Sequence, residues 1–224
     1  MKIESFPRKL FLFRNNLCMF AQTQNELHNM KHMSILAVSL LALVACTPEK
    51  KQEADYSQYV NPMIGTDFTG NTYPGAQVPF GMVQLSPDNG LPGWDRISGY
   101  FYPDTTIAGF SHTHLSGTGA GDLYDISFMP VTRPYKEAPA PLGIYSTFSH
   151  NDEAASAGYY RVLLKDYNIN VELTATERCG IQRYTFPEAE ASVFLNLKKA
   201  MNWDFTLDSK IEVVDSTTCL LYTS

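Results

Sequence analysis

The sequence predicts an all-β protein, an antiparallel β-sandwich with long glycine-rich loops. From Gly143 onward, short segments alternate apolar and polar residues and are separated by turn residues, a pattern typical of strands with one buried face. Residues 61–125 instead carry a glycine every few residues, which favours loops because glycine permits unusual backbone angles and close approach. After the N-terminal apolar run, no long segment has helical spacing. We therefore expect functional loops on a rigid β scaffold.

The composition excludes several classes of protein. With 44% hydrophobic and 12% aromatic residues, the 224-residue chain can build a packed core and is not broadly disordered. The formal charge of −6 and the absence of a basic run argue against nucleic-acid binding. The four cysteines, Cys18, Cys46, Cys179 and Cys219, form no CxxC pair, so neither a zinc ribbon nor a redox motif is predicted.

The N-terminal residues predict export and anchoring. Residues 34–45 are an apolar run after Lys31 that is shorter than the ~20 residues of a membrane span and fits a secretory signal, a buried core helix being the alternative. The run ends in Leu-Val-Ala before Cys46, which resembles the bacterial lipobox, whose cysteine is lipidated. We predict a lipid-anchored protein of the bacterial cell envelope, attached to the membrane through this anchor alone.

These observations predict the organisation of the whole chain. The predicted segments are a spurious N-terminal extension (1–29), a lipoprotein signal peptide (30–46), a polar tether (47–57) and a β-sandwich domain (58–224). We expect this domain to be truncated, because the last residues stop inside a predicted strand. The predicted strands are residues 78–85, 107–115, 124–132, 158–165, 169–176, 180–186, 191–197, 211–214 and 218–222. Pro79 and Gly81 mark the first of them as an edge or a bulge.

Two histidines on one predicted strand are the first candidates for chemistry. His112 and His114 would share a face, and Asp122 and Asp125 follow closely. Two imidazoles and a carboxylate can bind a transition metal, but no HExxH or similar motif is present. The favoured interpretation is a set of polar residues hydrogen-bonded beneath a glycine-rich loop.

Other polar residues suit turns better than catalysis. The aspartates of the glycine-rich stretch mostly lie beside Gly, Pro or Asn, where aspartate commonly caps turns; they are Asp67, Asp88, Asp95, Asp104, Asp122 and Asp125. Ser111 and Ser116 lie near histidine and aspartate, but the chain lacks the GxSxG elbow of many serine hydrolases. A hydrolase triad is therefore disfavoured.

Trp94 lies between turn residues in the segment LPGWD. An aromatic side chain on a polar loop suits the apolar face of a sugar ring, with neighbouring Asp and Asn side chains bonding hydroxyl groups. The alternative is a tryptophan folded back onto the sandwich, and composition does not decide between them. Trp203 follows strand-like sequence and is predicted to lie in the core.

Five segments together resemble the N-terminal domain of the family-92 glycoside hydrolases, which are exo-acting α-mannosidases. They are YVNPMIGT (59–66), GNTYPGA (70–76), PFGMV (79–83), SGY (98–100) and FSHTHLSG (110–117). The resemblance implies a β-sandwich packed against a larger helical (α/α) barrel, and Ca²⁺-dependent hydrolysis with inversion. The catalytic acid, the base and the calcium ligands of the family lie in that barrel, so we predict no catalytic residue and no metal ligand in this chain.

The resemblance also implies which residues contact the substrate, a glycan that carries terminal α-mannose. Trp94 matches a position where the family places an aromatic side chain beside the sugar, and the loops 70–75 and 112–121 would face the sugar or the barrel. The predicted substrate-binding residues are Trp94, Asn71, Asp95, His112 and His114. The predicted function is the N-terminal portion of an α-mannosidase acting on N-glycans or mannans, inactive as a fragment. The alternative is a non-catalytic carbohydrate-binding surface lipoprotein.

Overall fold

A computed structural model describes residues 54–117, 123–139, 142–197 and 206–223. In these residues the regular elements are short strands and three single-turn 3-10 helices, Ser57–Tyr59, Trp94–Arg96 and His150–Asp152. The strands are β1 Ser86–Asp88, β2 Thr106–Ile107, β3 Gly109–Ser111, β4 Ser127–Thr132, β5 Glu137–Ala138, β6 Gly143–Ile144, β7 Ser146–Thr147, β8 Glu153–Ser156, β9 Tyr159–Leu164, β10 Ile169–Ala175, β11 Gly180–Thr185, β12 Ala191–Asn196, β13 Ser209–Val213 and β14 Cys219–Thr223.

Two four-stranded sheets form the scaffold. One has the strand order β1-β3-β4-β12 and the other has the order β11-β10-β9-β8. Three two-stranded ribbons, β2-β7, β5-β6 and β13-β14, accompany them, and every pairing is antiparallel. The predicted all-β, antiparallel fold class is therefore confirmed.

The hydrophobic core combines the inward faces of the two sheets. In β10, Ile169, Val171 and Leu173 are buried and alternate with more exposed residues, as expected where successive side chains point to opposite faces. Phe110 of β3 and Val131 of β4 belong to the same buried cluster. The alternation that predicted these strands therefore reflects real one-sided burial.

The strand predictions were accurate where this alternation is regular and wrong in the glycine-rich stretch. From residue 124 onward, each predicted strand appears with bounds shifted by at most three residues. The predicted strand 78–85 is wrong, because Val78–Gly81 forms a turn in which Phe80 has a φ of 60°, and only Leu85 makes an isolated bridge. The predicted strand 107–115 is interrupted at Ala108 and ends at Ser111.

Several predictions fall outside the described residues. These are the signal peptide 30–46 with its lipidation site Cys46, and the core placement of Trp203. Within the described part of the chain, no helix is long and apolar enough to cross a bilayer. Cys179 and Cys219 are both described, and both are exposed free thiols.

Candidate functional site

Three loops of the glycine-rich stretch are joined by hydrogen bonds. The Ser98 hydroxyl donates to the Thr72 carbonyl at 3.0 Å, which ties the segment 65–75 to the Trp94 loop (residues 89–101). The Gly117 amide donates to the Asn71 carbonyl at 2.7 Å, which ties the same segment to residues 112–117. The structure therefore brings together the loops that the sequence predicted to face a sugar or a partner domain.

Trp94 lies at the surface of its loop, 53% exposed, at the start of a 3-10 turn. The turn is anchored by Arg96, whose Nε donates to Asp104 at 2.6 Å and whose guanidinium lies 4.6 Å from the centre of the Phe101 ring. Asp104 accepts this hydrogen bond and raises the pKa of Arg96. Asp95, half-buried, follows Trp94 on the same turn. Of the two placements that composition left open for Trp94, the structure shows the exposed one.

His114 is buried in the scaffold, with both ring nitrogens engaged. Its Nδ1 faces the Gln84 carbonyl at 2.7 Å, and its Nε2 lies 2.9 Å from Asp88 Oδ1 and 3.1 Å from Ser111 Oγ. Asp88 and Ser111 are fully buried on the paired strands β1 and β3. We call Asp88, Ser111 and His114 the His114 cluster.

The geometry of the His114 cluster differs from that of a hydrolase triad. In a triad the serine and the carboxylate bond to different nitrogens of the imidazole. Here Ser111 and Asp88 both face Nε2, while Nδ1 is occupied by a backbone carbonyl. All three side chains are also buried, so a substrate could not contact the serine hydroxyl. The cluster therefore holds loops and strands together.

His112 and His114 do not share a strand, because β3 ends at Ser111. His112 Nδ1 donates to the Ile126 carbonyl at 3.0 Å, and its ring packs edge-on against Phe128. In the described residues, no three His, Cys, Asp or Glu side chains are grouped so that they could hold a metal ion. Asp122, part of the predicted constellation, lies outside the described residues.

Burial lowers the pKa of His112 below its usual 6.5, and nearby His114 adds to this, against the raising effect of the Ile126 carbonyl. Below about pH 6.5 the unfolded chain therefore binds a proton that the folded chain resists, and the domain loses stability as pH falls. His112→Asn keeps a donor for Ile126 and should lose less stability than the wild type between about pH 7.5 and about pH 5.5. Urea unfolding at several pH values measures this, and equal pH slopes would contradict it.

Asn71 combines burial with an unused acceptor. It is 2% exposed, has a φ of 49°, and its Nδ2 donates to the Thr69 carbonyl at 3.4 Å. Its Oδ1 makes no hydrogen bond to the described residues. A buried acceptor with no partner among the described residues is unusual. Its predicted contact with substrate, like those of Trp94 and Asp95, remains a prediction.

A second polar cluster holds the other side of the Trp94 loop. We call it the Glu153 cluster: Glu153 accepts hydrogen bonds from Tyr100, Tyr160 and His150 at 3.0, 2.6 and 2.6 Å. His150 Nε2 donates to the Tyr102 carbonyl, and the two rings stack at 3.9 Å. Burial, reinforced by the Glu153 charge, raises the pKa of Tyr100 and of Tyr160, so both hydroxyls remain donors.

Sequence reasoning missed the roles of Asp88 and Glu153. The turn prediction is correct for Asp67, whose carboxylate accepts the Phe68 amide, but wrong for Asp88, which is a buried strand residue paired with His114. His114, the partner of Asp88, lies 26 residues away in the chain, and Tyr100, one of the three partners of Glu153, lies 53 residues away. No local pattern signals contacts over such separations.

Comparison with known proteins assigns the family. Residues 59–223 match the model described as the glycosyl hydrolase family 92 N-terminal domain. The chain belongs to glycosyl hydrolase family 92. This part of the chain is therefore the N-terminal domain of a family of glycosidases that includes α-mannosidases, as the motifs implied.

Solved structures and a curated protein agree with the assignment. The family-92 α-mannosidase BT3965 from Bacteroides thetaiotaomicron, solved with mannoimidazole, is 41% identical with a TM-score of 0.70, over 75% of this chain and 23% of that chain. The inverting mannosidase BT2199 from the same organism is 32% identical with a TM-score of 0.53, over 65% of this chain and 20% of that chain. A protein of Arthroderma benhamiae described as an uncharacterized secreted glycosidase is 26% identical, over 72% of this chain and 21% of that protein. This chain spans less than a quarter of the length of each relative.

Proposed function

We propose that this chain is the N-terminal part of an exported α-mannosidase and supplies one wall of its sugar site. The observation that carries the proposal is Trp94, an exposed indole on an anchored turn, in a family whose similar solved members are mannosidases. The substrate class is glycans that end in α-mannose. N-glycans and mannans are the natural examples.

The proposed chemistry of this wall is recognition of the sugar. The indole face of Trp94 suits the apolar face of a mannose ring, and the half-buried carboxylate of Asp95 suits its hydroxyl groups. Inverting hydrolysis needs one carboxylic acid at the leaving oxygen and one carboxylate that activates water. We assign neither to this chain and place both in a helical barrel domain.

Calcium is part of the proposal for the whole enzyme only. Ca²⁺ takes six to eight oxygen ligands, usually including several carboxylates. The described residues offer no group of three or more His, Cys, Asp or Glu side chains for an ion, so they do not fit this cofactor. As the family resemblance implies, we place its ligands, like the catalytic pair, in the barrel.

Exposed apolar side chains support the idea of a partner domain. Phe68 and Met82 are 79% and 70% exposed, and Phe80 is fully exposed. Phe68 and Phe80 also have left-handed backbones, with φ of 50° and 60°, a costly conformation for bulky residues. Exposed aromatic groups held in strained backbone are typical of surfaces that contact a partner. We propose that the barrel covers them.

Export and lipid attachment through Cys46 complete the proposal. The relative described as secreted supports export, and the lipobox-like segment before Cys46 supports the anchor. The second candidate function is a non-catalytic lipoprotein that binds mannose-containing glycans. It requires the same exposed Trp94 but no barrel.

A chimera separates the two functions. Residues 59–223 of this chain would replace the equivalent residues of BT3965, the 41% identical α-mannosidase. We expect the chimera to hydrolyse an aryl α-mannoside and the present chain alone to be inactive. A folded, inactive chimera, together with saturable mannose binding by the present chain, would favour the binding protein instead.

A further inference from the structure

We propose that His114 is a positioning residue, which sets the position of Trp94 by holding Asp88 against the Trp94 loop. The part of this inference that concerns sugar binding rests on the proposed function. The positioning itself stands on contacts within the described residues. His114 does not need to touch the sugar in this role, which fits its 3% exposure.

The first step links His114 to the loop through Asp88 and its neighbour. His114 Nε2 and the Ser111 hydroxyl fix Asp88 Oδ1, at 2.9 and 3.1 Å. The next residue, Asn89, donates its amide to the Gly99 carbonyl at 2.8 Å and accepts the Phe101 amide at 2.5 Å. The Asp88–Asn89 pair therefore holds the backbone on both sides of Tyr100.

The second step is direct contact with Gly99. A Cβ atom at Gly99 would lie 2.8 Å from Asp88 Oδ1 and 3.1 Å from His114 Cδ2, so the backbone rests against the cluster. The Gly99 amide donates to the Arg96 carbonyl, and the Arg96 amide donates to the Gly93 carbonyl, both at 3.0 Å. Trp94 lies between Gly93 and Arg96, the residues that these hydrogen bonds join to Gly99. A shift of the His114 cluster therefore displaces the turn that carries the indole.

The two nitrogens of the His114 ring face different partners, which makes the role testable. Nδ1 bonds to the Gln84 carbonyl, and only Nε2 reaches Asp88. The amide of glutamine extends to the place of Nε2, whereas the shorter asparagine amide lies near the place of Nδ1. His114→Gln should therefore keep the link to Asp88, and His114→Asn should lose it. If His114 only filled space, the glutamine and asparagine variants would have the same effect on Trp94.

The experiment is ¹⁹F NMR of the full chain labelled with 5-fluorotryptophan. The chain has two tryptophans, and Trp94→Phe assigns the two resonances. We expect the Trp94 resonance of His114→Asn and His114→Ala to move toward that of free 5-fluorotryptophan, and His114→Gln to restore the wild-type shift. Tyr167→Phe is the control, since it removes a buried hydrogen bond to the Tyr145 carbonyl and should leave Trp94 unchanged.

The outcomes separate this inference from the proposed function. An unchanged Trp94 resonance in folded His114→Ala, or equal changes in the glutamine and asparagine variants, would overturn the positioning role. If the His114 variants fail to fold, Ser111→Ala removes the longer bond to Asp88 together with the contact to His114, and should shift the Trp94 resonance in the same direction; no shift overturns the proposal. Adding mannoimidazole to the wild type tests sugar binding separately. If the Trp94 resonance does not respond to it, the proposed function is contradicted, but the effects of the His114 variants still decide the positioning role.

Discussion

Glu153→Ala is expected to lower the free energy of unfolding by about 3–5 kcal/mol, the cost of breaking a buried charged network. The carboxylate is 3% exposed and accepts hydrogen bonds from two tyrosine hydroxyls and one imidazole. Its removal leaves the Tyr100 and Tyr160 hydroxyls buried without an acceptor, and each unsatisfied group adds its own desolvation cost. Tyr100 belongs to the Trp94 loop, so the loss should also loosen that loop.

Urea unfolding followed by tyrosine and tryptophan fluorescence measures the change. The matched control is Glu190→Ala, because Glu190 forms an exposed pair with Arg133 at 3.4 Å. An exposed pair of this kind contributes about 0–1 kcal/mol. If the two variants lose similar small amounts of stability, the Glu153 cluster does not support the fold as described.

Gly99→Ala is expected to cost about 2–4 kcal/mol, because two penalties add at this position. Gly99 has a φ of 87°, a left-handed conformation that alanine adopts at a cost. The new Cβ would also lie 2.8 Å from Asp88 Oδ1 and 2.9 Å from Tyr124 Cε1, closer than real side-chain contacts allow. The loop must therefore move away from the His114 cluster.

Gly117→Ala and Gly143→Ala separate the two penalties. Both glycines have a positive φ, of 100° and 65°, but a Cβ at either would meet nothing within 4 Å. These variants should show only the backbone penalty, about 1–2 kcal/mol. Equal losses for Gly99→Ala and the two controls would show that contact with the cluster contributes nothing.

Three strands of the second sheet, β9, β10 and β11, were predictable because their burial pattern is visible in the local sequence, whereas β8 was not predicted. In β9 and β10, burial alternates with period two, so each residue's environment is visible in its neighbours, as Val162 and Val171 show. The stretch before it obeys no such period. Pro79 and Gly81 predict an edge or a bulge within a strand, but the chain turns there, with Phe80 in a left-handed conformation.

The candidate site was predictable in part. Composition predicts the glycine-rich loops, and the family resemblance indicates Trp94 and His114 as substrate-binding residues. Their different environments were not predictable, because the Arg96–Asp104 ion pair that anchors the Trp94 turn and the contact between His114 and Asp88, 26 residues earlier, are formed only by the fold. A motif indicates that a residue matters, whereas the contact that explains why is formed only by the fold.

The most direct test of the central claim is the value of kcat/KM for Trp94→Ala in the BT3965 chimera, with an aryl α-mannoside as substrate. If this domain supplies the sugar-facing wall, we expect a loss of about tenfold to a hundredfold, equivalent to about 1.4–2.7 kcal/mol of transition-state stabilisation. Trp94→Phe keeps an aromatic face and should retain most of the activity. An unchanged kcat/KM in a folded Trp94→Ala chimera would contradict the account.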